Sequence, residues 1–461
     1  GNVGIQFDKT AFEPRIGFAW KPLAGEGTVI RAGYAIFHDS AWSQGAQGLW
    51  QNPPYYAETD NFNGLCRFRK LGTPGCGVQT AFLPIFTSPP DPAGFTGTIQ
   101  SQELDFNQGM VQQYNLNLEQ QLPANVVLTM GYAGSRSSHI LVDGVNENVS
   151  TPSACRGGPS PIRGYGFGCG PRGAYIAAPY GAGTVVANNS DTGSARYDSL
   201  QVKAETKSAR YGLYGLLGYT WSRTFDSGLP DGLGSFPGAT YWPLPGTQKA
   251  DWGLSQLNLD EQFTASVIYL LPFGKGKRYG GGWNGRTNAI LGGWQINVIE
   301  KATSGFPLFV VDGNNQSGVL FMWSGNALNR PDQVGDPNRP GPEGGRADCP
   351  RRIRTIENWF NPCAFAPAPA GELGSASRAP VNGPGFLNTD FSLIKHFLLP
   401  IGDGTALEFR GEFFNLFNHP QFFLPGGASG MQDINSSSSF GVISQTVNNP
   451  RVIQLALKLT F

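Results

Sequence analysis

The feature that most constrains this chain is a period-two alternation of apolar and polar residues, carried by segments of about ten residues that come in pairs. Arg15 to Lys21 sets Ile16, Phe18 and Trp20 against Arg15, Gly17, Ala19 and Lys21. After Pro22 to Gly27, Thr28 to His38 follows with Ile30, Ala32, Tyr34 and Ile36 on one face. Tyr114, Leu116 and Leu118 alternate with Gln113, Asn115, Asn117 and Glu119, turn at Leu122-Pro123-Ala124-Asn125, and return with Val126, Leu128, Met130 and Tyr132. A third pair opposes Leu200, Val202 and Ala204 to Gln201, Lys203 and Glu205, turns near Ser208, and returns with Leu213, Gly215, Leu217, Tyr219 and Trp221. Phe263, Ala265, Val267 and Tyr269 pair with Trp294, Ile296 and Val298 across a Leu271-Pro272-Phe273-Gly274 turn. Phe391 and Leu393 pair with Leu407, Phe409 and Phe413 across Pro400 to Gly404. Such a pattern predicts roughly eleven antiparallel strands, joined alternately by short turns and by long segments near 39 to 109, 135 to 194, 224 to 256, 304 to 385 and 419 to 446.

Composition agrees with an all-β chain. Of 461 residues, 64 are Gly and 35 are Pro, and only 14% are charged, which disfavours helices. Equal numbers of basic and acidic residues, 33 each, provide no field to attract nucleic acid. With a mean hydropathy of −0.23, no stretch approaches the ~18 apolar residues of a spanning helix. No signal-peptide pattern precedes the first strand, so the chain reads as a mature or truncated product.

Alternation alone fits a soluble sandwich as well as a transmembrane barrel. Three features favour the barrel. The strands have the ~9–11 residues of a tilted bilayer crossing. Trp20, Tyr132, Trp221, Tyr269 and Phe417 sit near strand ends, where an interfacial girdle belongs. The chain closes on an alternating strand, Ile453, Leu455, Leu457, Leu459 and Phe461, whose terminal aromatic resembles the signal read by the outer-membrane barrel assembly machinery; a final core strand is the bland alternative. Long irregular connections are rare in compact soluble domains but usual on the outer side of such barrels.

Six cysteines fall into three local pairs, Cys66/Cys76, Cys155/Cys169 and Cys349/Cys363, inside Gly/Pro-rich segments. Loop disulfides of an oxidising compartment are expected, with free thiols the alternative; zinc is disfavoured because no CxxC or His spacing accompanies them. If Phe461 ends in the periplasm, every short turn is periplasmic and all six cysteines face outward. Catalytic patterns are not found: His38, His139, His396 and His419 form no metal pair, there is no GxSxG elbow, and Gly274-Lys275-Gly276-Lys277 lacks the phosphate-loop spacing. Asp390 with Glu408 and Glu412 could suggest glycosidase carboxylates, but polar faces of neighbouring strands explain them better. No enzyme activity, cofactor or metal is expected. Loop aromatics Trp42, Trp50, Tyr55, Tyr56, Tyr241, Trp242 and Trp323 fit either ligand contact or loop packing.

Several stretches carry a family resemblance: Phe12-Glu13-Pro14-Arg15-Ile16-Gly17-Phe18-Ala19-Trp20, Val29-Ile30-Arg31-Ala32-Gly33-Tyr34, Gln112-Gln113-Tyr114-Asn115-Leu116, Leu271-Pro272-Phe273-Gly274-Lys275-Gly276-Lys277 and Phe413-Phe414-Asn415-Leu416-Phe417-Asn418-His419-Pro420. In this order they resemble the barrel of Oar-like TonB-dependent outer-membrane receptors, common in acidobacteria and related Gram-negative groups. The resemblance implies an antiparallel transmembrane barrel of about 22 strands, of which residues 1–461 are the C-terminal half. A plug and a carboxypeptidase-regulatory-like domain would lie upstream, and the TonB complex would act through that plug. It further implies uptake of an unidentified solute through a lumen walled by Gln113, Asn115, Asn117, Glu119, Gln201, Lys203, Glu205, Asp390, Glu408, Arg410 and Glu412. The expected partners are outer-membrane lipid, the assembly machinery, TonB and the solute. A structural or adhesive surface barrel and a soluble secreted β binding protein are the competing readings.

Overall fold

In an antiparallel ladder, residues opposite one another share a face, so paired strands with period-two sequences sort their side chains into two continuous surfaces. The computed structural model describes residues 11–22, 27–39, 98–102, 106–146, 185–208, 211–227, 251–314, 330–369, 372, 374–398, 405–427 and 430–461. Its strands are β1 (Arg15–Trp20), β2 (Thr28–His38), β3 (Thr98–Gln102), β4 (Met110–Leu122), β5 (Val126–Asn146), β6 (Val185–Ser208), β7 (Leu213–Asp226), β8 (Gly253–Leu254) and β9 (Glu261–Leu270). After a short helix, α1 (Gly285–Leu291), come β10 (Trp294–Thr303), β11 (Pro307–Val311), β12 (Asp332–Gln333), β13 (Phe365–Ala366), β14 (Val381–Asn382), β15 (Phe386–Leu398), β16 (Ala406–Phe414), β17 (Met431–Asp433) and β18 (Val452–Thr460).

Among the described residues a 13-stranded sheet dominates, with the path β1-β2-β4-β5-β6-β7-β9-β10-β15-β16-β18; β3 and β8 attach to β6 and β7. All ten contacts along that path are antiparallel, and every pairing expected from the alternation is present. The sheet ends at β1 and β18 and is not closed on itself.

Register sorts side chains by face in rows that cross the sheet, although Leu216, Ile268, Ile299 and Ile394 also lie on the more polar face. Ile30, Leu118, Met130, Val202, Tyr219 and Phe263 form one apolar row, whereas Arg31, Asn117, Gly131, Gln201, Thr220 and Gln262 run beside it on the other face. The apolar face is uncovered by protein: Leu455 is 67% and Leu457 68% exposed. An uncovered apolar surface spanning a whole sheet is far larger than the patches of soluble monomers, and lipid is the solvent it fits. On its outer side this face turns charged immediately beyond the row Leu116, Tyr132, Leu200 and Trp221, where Asp198 opposes Arg223 and Arg136 opposes Arg196. Tyr132 and Trp221 therefore sit at a boundary, as an aromatic girdle requires. Gly134 leaves room there for Tyr114 to stack on Tyr132 with ring centres 6.0 Å apart; a Cβ at Gly134 would meet the Tyr114 ring at 2.5 Å.

Register also gives the strand tilt. Leu122, Val126, Thr206, Gly215, Val267, Val298, Phe391, Phe413 and Ile453 form one unbroken row. Leu122 is the last residue of β4, whereas Ile453 lies one residue inside the start of β18, and both strands run in the same direction. The row thus shifts by roughly seven to eleven residues over eight strand steps, depending on whether strand ends or strand starts are aligned, which at about 3.3 Å per residue and about 4.8 Å per step corresponds to a tilt of roughly 30–45°. That is close to the ~35–45° of outer-membrane barrels.

Two expectations about connections need correction. β5 and β6 run on to Asn146 and from Val185, through residues expected to be loop, with register shifts after Ser137. The register shifts break the period-two signal there, although pairing continues. The link from β9 to β10 is not a four-residue turn: residues 271–293 contain a Phe273–Tyr279 bridge and α1, whose N-terminus is capped by Asn284 accepting from the Thr287 amide at 2.9 Å. Trp294 on the apolar face donates to the Ile290 carbonyl at 2.9 Å, and Lys395 beside it donates to the Gly292 carbonyl. This sets α1 against the apolar side of the sheet, with Lys275, Lys277, Arg278 and Arg286 and no acidic residue in the link. A basic, aromatic segment there suits the membrane interface.

Substituting Arg for Leu118 on the apolar face should cost about 2–4 kcal/mol of insertion free energy, whereas Asn117→Arg next to it should be tolerated. The check is the yield of heat-modifiable protein in outer membranes; equal loss for both would contradict the assignment of faces.

Candidate functional site

Polar side chains on the second face neutralise one another along and across strands. Arg31 pairs with Glu119; Glu205 is held by Lys203 at 3.2 Å and Lys207 at 3.0 Å. Arg410 binds Glu408 at 2.7 Å and reaches Glu412 at 3.7 Å, while Glu408 opposes Lys458 in register and lies 3.4 Å from His396. Gln113, Asn115, Asn117, Glu119, Gln201, Lys203, Glu205, Asp390, Glu408, Arg410 and Glu412 all occupy this face by register, so the structure brings the expected wall residues together on one surface. Asp390 has a local task as well, accepting from the Asn415 amide at 2.9 Å and from Asn388 at 2.9 Å, which fixes the exit of β16.

Above the β10–β15 and β16–β18 strand ends, the described parts of the two long outer connections, within 304–385 and 415–451, fold into a cap with its own core. Leu308, Val310, Phe360, Ala364, Phe365, Ala376 and Val381 are its buried members, with Trp359, Leu424, Ile434 and Phe440 packed against them. Phe360, Phe365 and Phe440 meet edge to face at centroid distances of 5.0 to 6.1 Å. β11 is fully buried and joins β14 antiparallel and β17 parallel, stitching one connection to the other. Arg354 lies over the Trp359 ring at 5.0 Å and donates to Asn338 and to the Asn382 carbonyl; burial lowers its pKa from the ordinary arginine value.

Buried ion pairs tie the cap to the sheet. Arg330 donates to Asp251 at 2.7 Å, and Arg378 donates to the Asp226 carboxylate and backbone carbonyl while lying over Phe309 at 5.4 Å. Asp226 ends β7 and pairs with Gly253 of β8, so these arginines connect residues far apart in sequence at the outer rim. Sequence reasoning missed them, since an isolated Arg in a Pro/Gly-rich loop carries no period. Asn415 and Asn418, both at left-handed φ of 52° and 53°, shape the turn after β16, and Asn415 binds His419 through both backbone groups. The Asn415-Leu416-Phe417-Asn418-His419-Pro420 stretch is thus a structural turn.

The structure joins Cys349 to Cys363, with Cα atoms 5.8 Å apart, and closing a loop of that size contributes about 3 kcal/mol on chain-entropy grounds. Asp348 beside it is held below the usual carboxylate range by hydrogen bonds from Arg346. Although Asp348, Cys349 and Cys363 cluster closely, the sulfurs bond each other and leave no thiolate for a metal. Cys66, Cys76, Cys155, Cys169, Trp42, Trp50, Tyr55, Tyr56, Tyr241, Trp242 and Trp323 lie outside the described residues.

An apolar exterior, a polar second face and a folded outer cap are the parts of an outer-membrane barrel wall, and a family profile described as "Outer membrane beta barrel domain" matches residues 1–454. The chain belongs to that family. As an outer membrane beta-barrel domain it resides in the outer membrane. Solved structures with a similar course include the outer membrane transporter YddB from Escherichia coli, at 9% identity and a TM-score of 0.45, with 96% of this chain and 39% of that chain covered. Others are the ferric-catecholate import receptor Fiu from E. coli K12, at 10% identity and a TM-score of 0.38, covering 96% and 34% of the two chains, and the FrpB iron transporter from Neisseria meningitidis, at 10% and 0.39, covering 96% and 38%. This barrel domain therefore spans about two fifths or less of the structures it matches. No curated protein matches it.

Replacing Arg378 by Met leaves the Asp226 carboxylate buried beside an apolar side chain, at a cost of about 3–5 kcal/mol. Limited proteolysis should then cut within 330–369 faster while heat modifiability of the barrel stays unchanged; unaltered cleavage would remove this tether from the account.

Proposed function

We propose that this chain is the C-terminal part of a TonB-dependent receptor barrel of about 22 strands that binds a solute at the outer surface and passes it inward. The observation that carries the reading is the continuous, charge-paired polar face under a folded outer cap, opposite a lipid-facing apolar one. Unpaired edges at β1 and β18 support it, because an open edge in lipid costs several kcal/mol per unsatisfied backbone group and further strands would satisfy both. The resemblance to Oar-like receptors supplies the remaining parts, an upstream plug that engages TonB and a passage that opens when the plug is pulled. The barrel assembly machinery would read Ile453, Leu455, Leu457, Leu459 and the terminal Phe461, which is 97% exposed.

In this reading the work is conformational, with wall residues such as Glu119, Lys203, Glu408 and Arg410 hydrating the passage, and no covalent chemistry is assigned to the chain. A structural or adhesive surface barrel is the second reading, favoured by the stapled, well-packed cap, which would serve as a rigid display surface. Intact mass of the native protein extracted from outer membranes separates the two. A receptor should exceed 49.4 kDa, with peptides of a plug preceding Gly1. A native species of 49.4 kDa would refute the transport reading.

A further inference from the structure

The link from β9 to β10, residues 271–293, stands at the end of the sheet where the other connections are short and where β18 finishes. It is a folded unit. The Gly274 amide donates to the Tyr279 carbonyl at 2.8 Å, and the Tyr279 amide donates to the Pro272 carbonyl at 2.9 Å. The Lys275 amide then donates to Asn288 Oδ1 at 2.7 Å, tying this turn to α1. Gly274 and Gly292 touch, so that a Cβ on Gly274 would meet the Gly292 Cα at 3.0 Å. Trp294 and Lys395, both on the apolar face, hold the end of α1 through the Ile290 and Gly292 carbonyls.

The charge of this unit is of one sign. Lys275, Lys277, Arg278 and Arg286 are all exposed, the link contains no acidic residue, and among the described residues none of the four forms an ion pair. Lys395 adds a fifth positive charge. Buried beneath α1, it lies over the rings of Trp294 at 5.1 Å and Phe397 at 5.0 Å, with no carboxylate paired to it among the described residues. The opposite end of the same face is built differently: Arg136 and Arg196 pair with Asp198 at 3.1 and 2.6 Å, and Arg223 pairs with Asp260 at 3.2 Å. Unneutralised cations thus gather at one end of the lipid-facing side, where they attract an anion from their surroundings.

The neighbours of these cations say what kind of anion. Phe273, Tyr279, Ile290 and Leu291 are exposed beside them, and Ile290 lies one helical turn beyond Arg286 on the same face of α1. Basic heads above aromatic and aliphatic side chains match a molecule with phosphate at one end and hydrocarbon at the other. A free phosphate ion or a soluble acidic protein would leave the apolar half uncovered.

We infer that the turn 275–278 and α1 form a docking surface for anionic phospholipid in the leaflet at this end of the wall. Lys275 and Lys277 act as point charges, Arg278 and Arg286 offer paired N–H donors to phosphate oxygens, and Ile290 and Leu291 meet the acyl chains. The inference concerns how the wall is seated in the bilayer and stands apart from transport.

The test uses the detergent-extracted native protein, reconstituted into phosphatidylcholine vesicles with an environment-sensitive fluorescent amino acid at Ile290 or, as the control, at Leu455 on the same apolar face. Dibrominated phosphatidylglycerol is compared as quencher with an equal amount of dibrominated phosphatidylcholine. Each Lys or Arg at an anionic surface is worth about fivefold in partitioning, so phosphatidylglycerol should be enriched around Ile290 by at least about that factor. No enrichment is expected at Leu455. Replacing Lys275, Lys277, Arg278 and Arg286 together by Gln should abolish the preference, and inorganic phosphate added at the concentration of the anionic lipid should leave the wild-type preference in place. Equal quenching by the two lipids at Ile290, the same enrichment at Leu455, loss of the preference to inorganic phosphate, or its survival in the inserted variant would overturn the inference. The wild-type comparison decides the matter even if the variant fails to insert.

Discussion

Everything in this structure depends on satisfying backbone hydrogen bonds where there is no water to do it. In hydrocarbon each unmade N–H or C=O bond costs several kcal/mol, so strands cross a membrane only when their neighbours pair them along their length. The path from β1 to β18 meets that demand by antiparallel contacts alone. Once pairing is fixed, register decides the rest, because one residue of slip would send Leu118, Met130 and Val202 into the polar face and Asn117 and Gln201 into lipid. The shift of roughly one residue per strand step that tilts the strands follows from the same ladder.

The cap obeys a different physics. It sits in water and must bury apolar surface to be ordered, which the Phe360, Phe365 and Phe440 cluster does with the support of Leu308 and Val310. A core this small gains from staples, and three kinds are present: a disulfide at Cys349–Cys363, a parallel β11–β17 seam, and buried arginine pairs to Asp226 and Asp251. The arginine pairs anchor the cap to β7 and β8, so its position over the polar face is set by the wall beneath it. Paired charges on the wall and a cap held at fixed points thus stand together at the outer end of the sheet.

Much of the wall was legible in the sequence because alternation is a direct image of lipid on one side and water on the other. The hairpin pairings from Ile16 to Ile453 and the wall residues from Gln113 to Glu412 follow from it. Where that alternation ends, legibility ends too: the outer parts of β5 and β6 keep pairing through register shifts that no period-two pattern announces, and α1 lies hidden in a Gly-rich link whose only cue is Asn284 at its cap. The cap was unreadable for a further reason. Arg330 and Arg378 acquire their roles only from partners about 80 to 150 residues away in the chain, and no local pattern encodes such contacts. Asn415 and Asn418, in a stretch notable at first for its family resemblance, turn out to be there for their left-handed backbone.

The central claim is that one face of this sheet meets lipid and the other does not. An environment-sensitive fluorescent amino acid, incorporated singly at Asn115, Leu116, Asn117, Leu118 and Glu119 in protein reconstituted with brominated lipid, tests it most directly. Strong quenching and blue-shifted emission at Leu116 and Leu118, with weak quenching and red-shifted emission at Asn115, Asn117 and Glu119, is the predicted result. Uniform quenching along the five positions, or alternation of the opposite sense, would contradict the account.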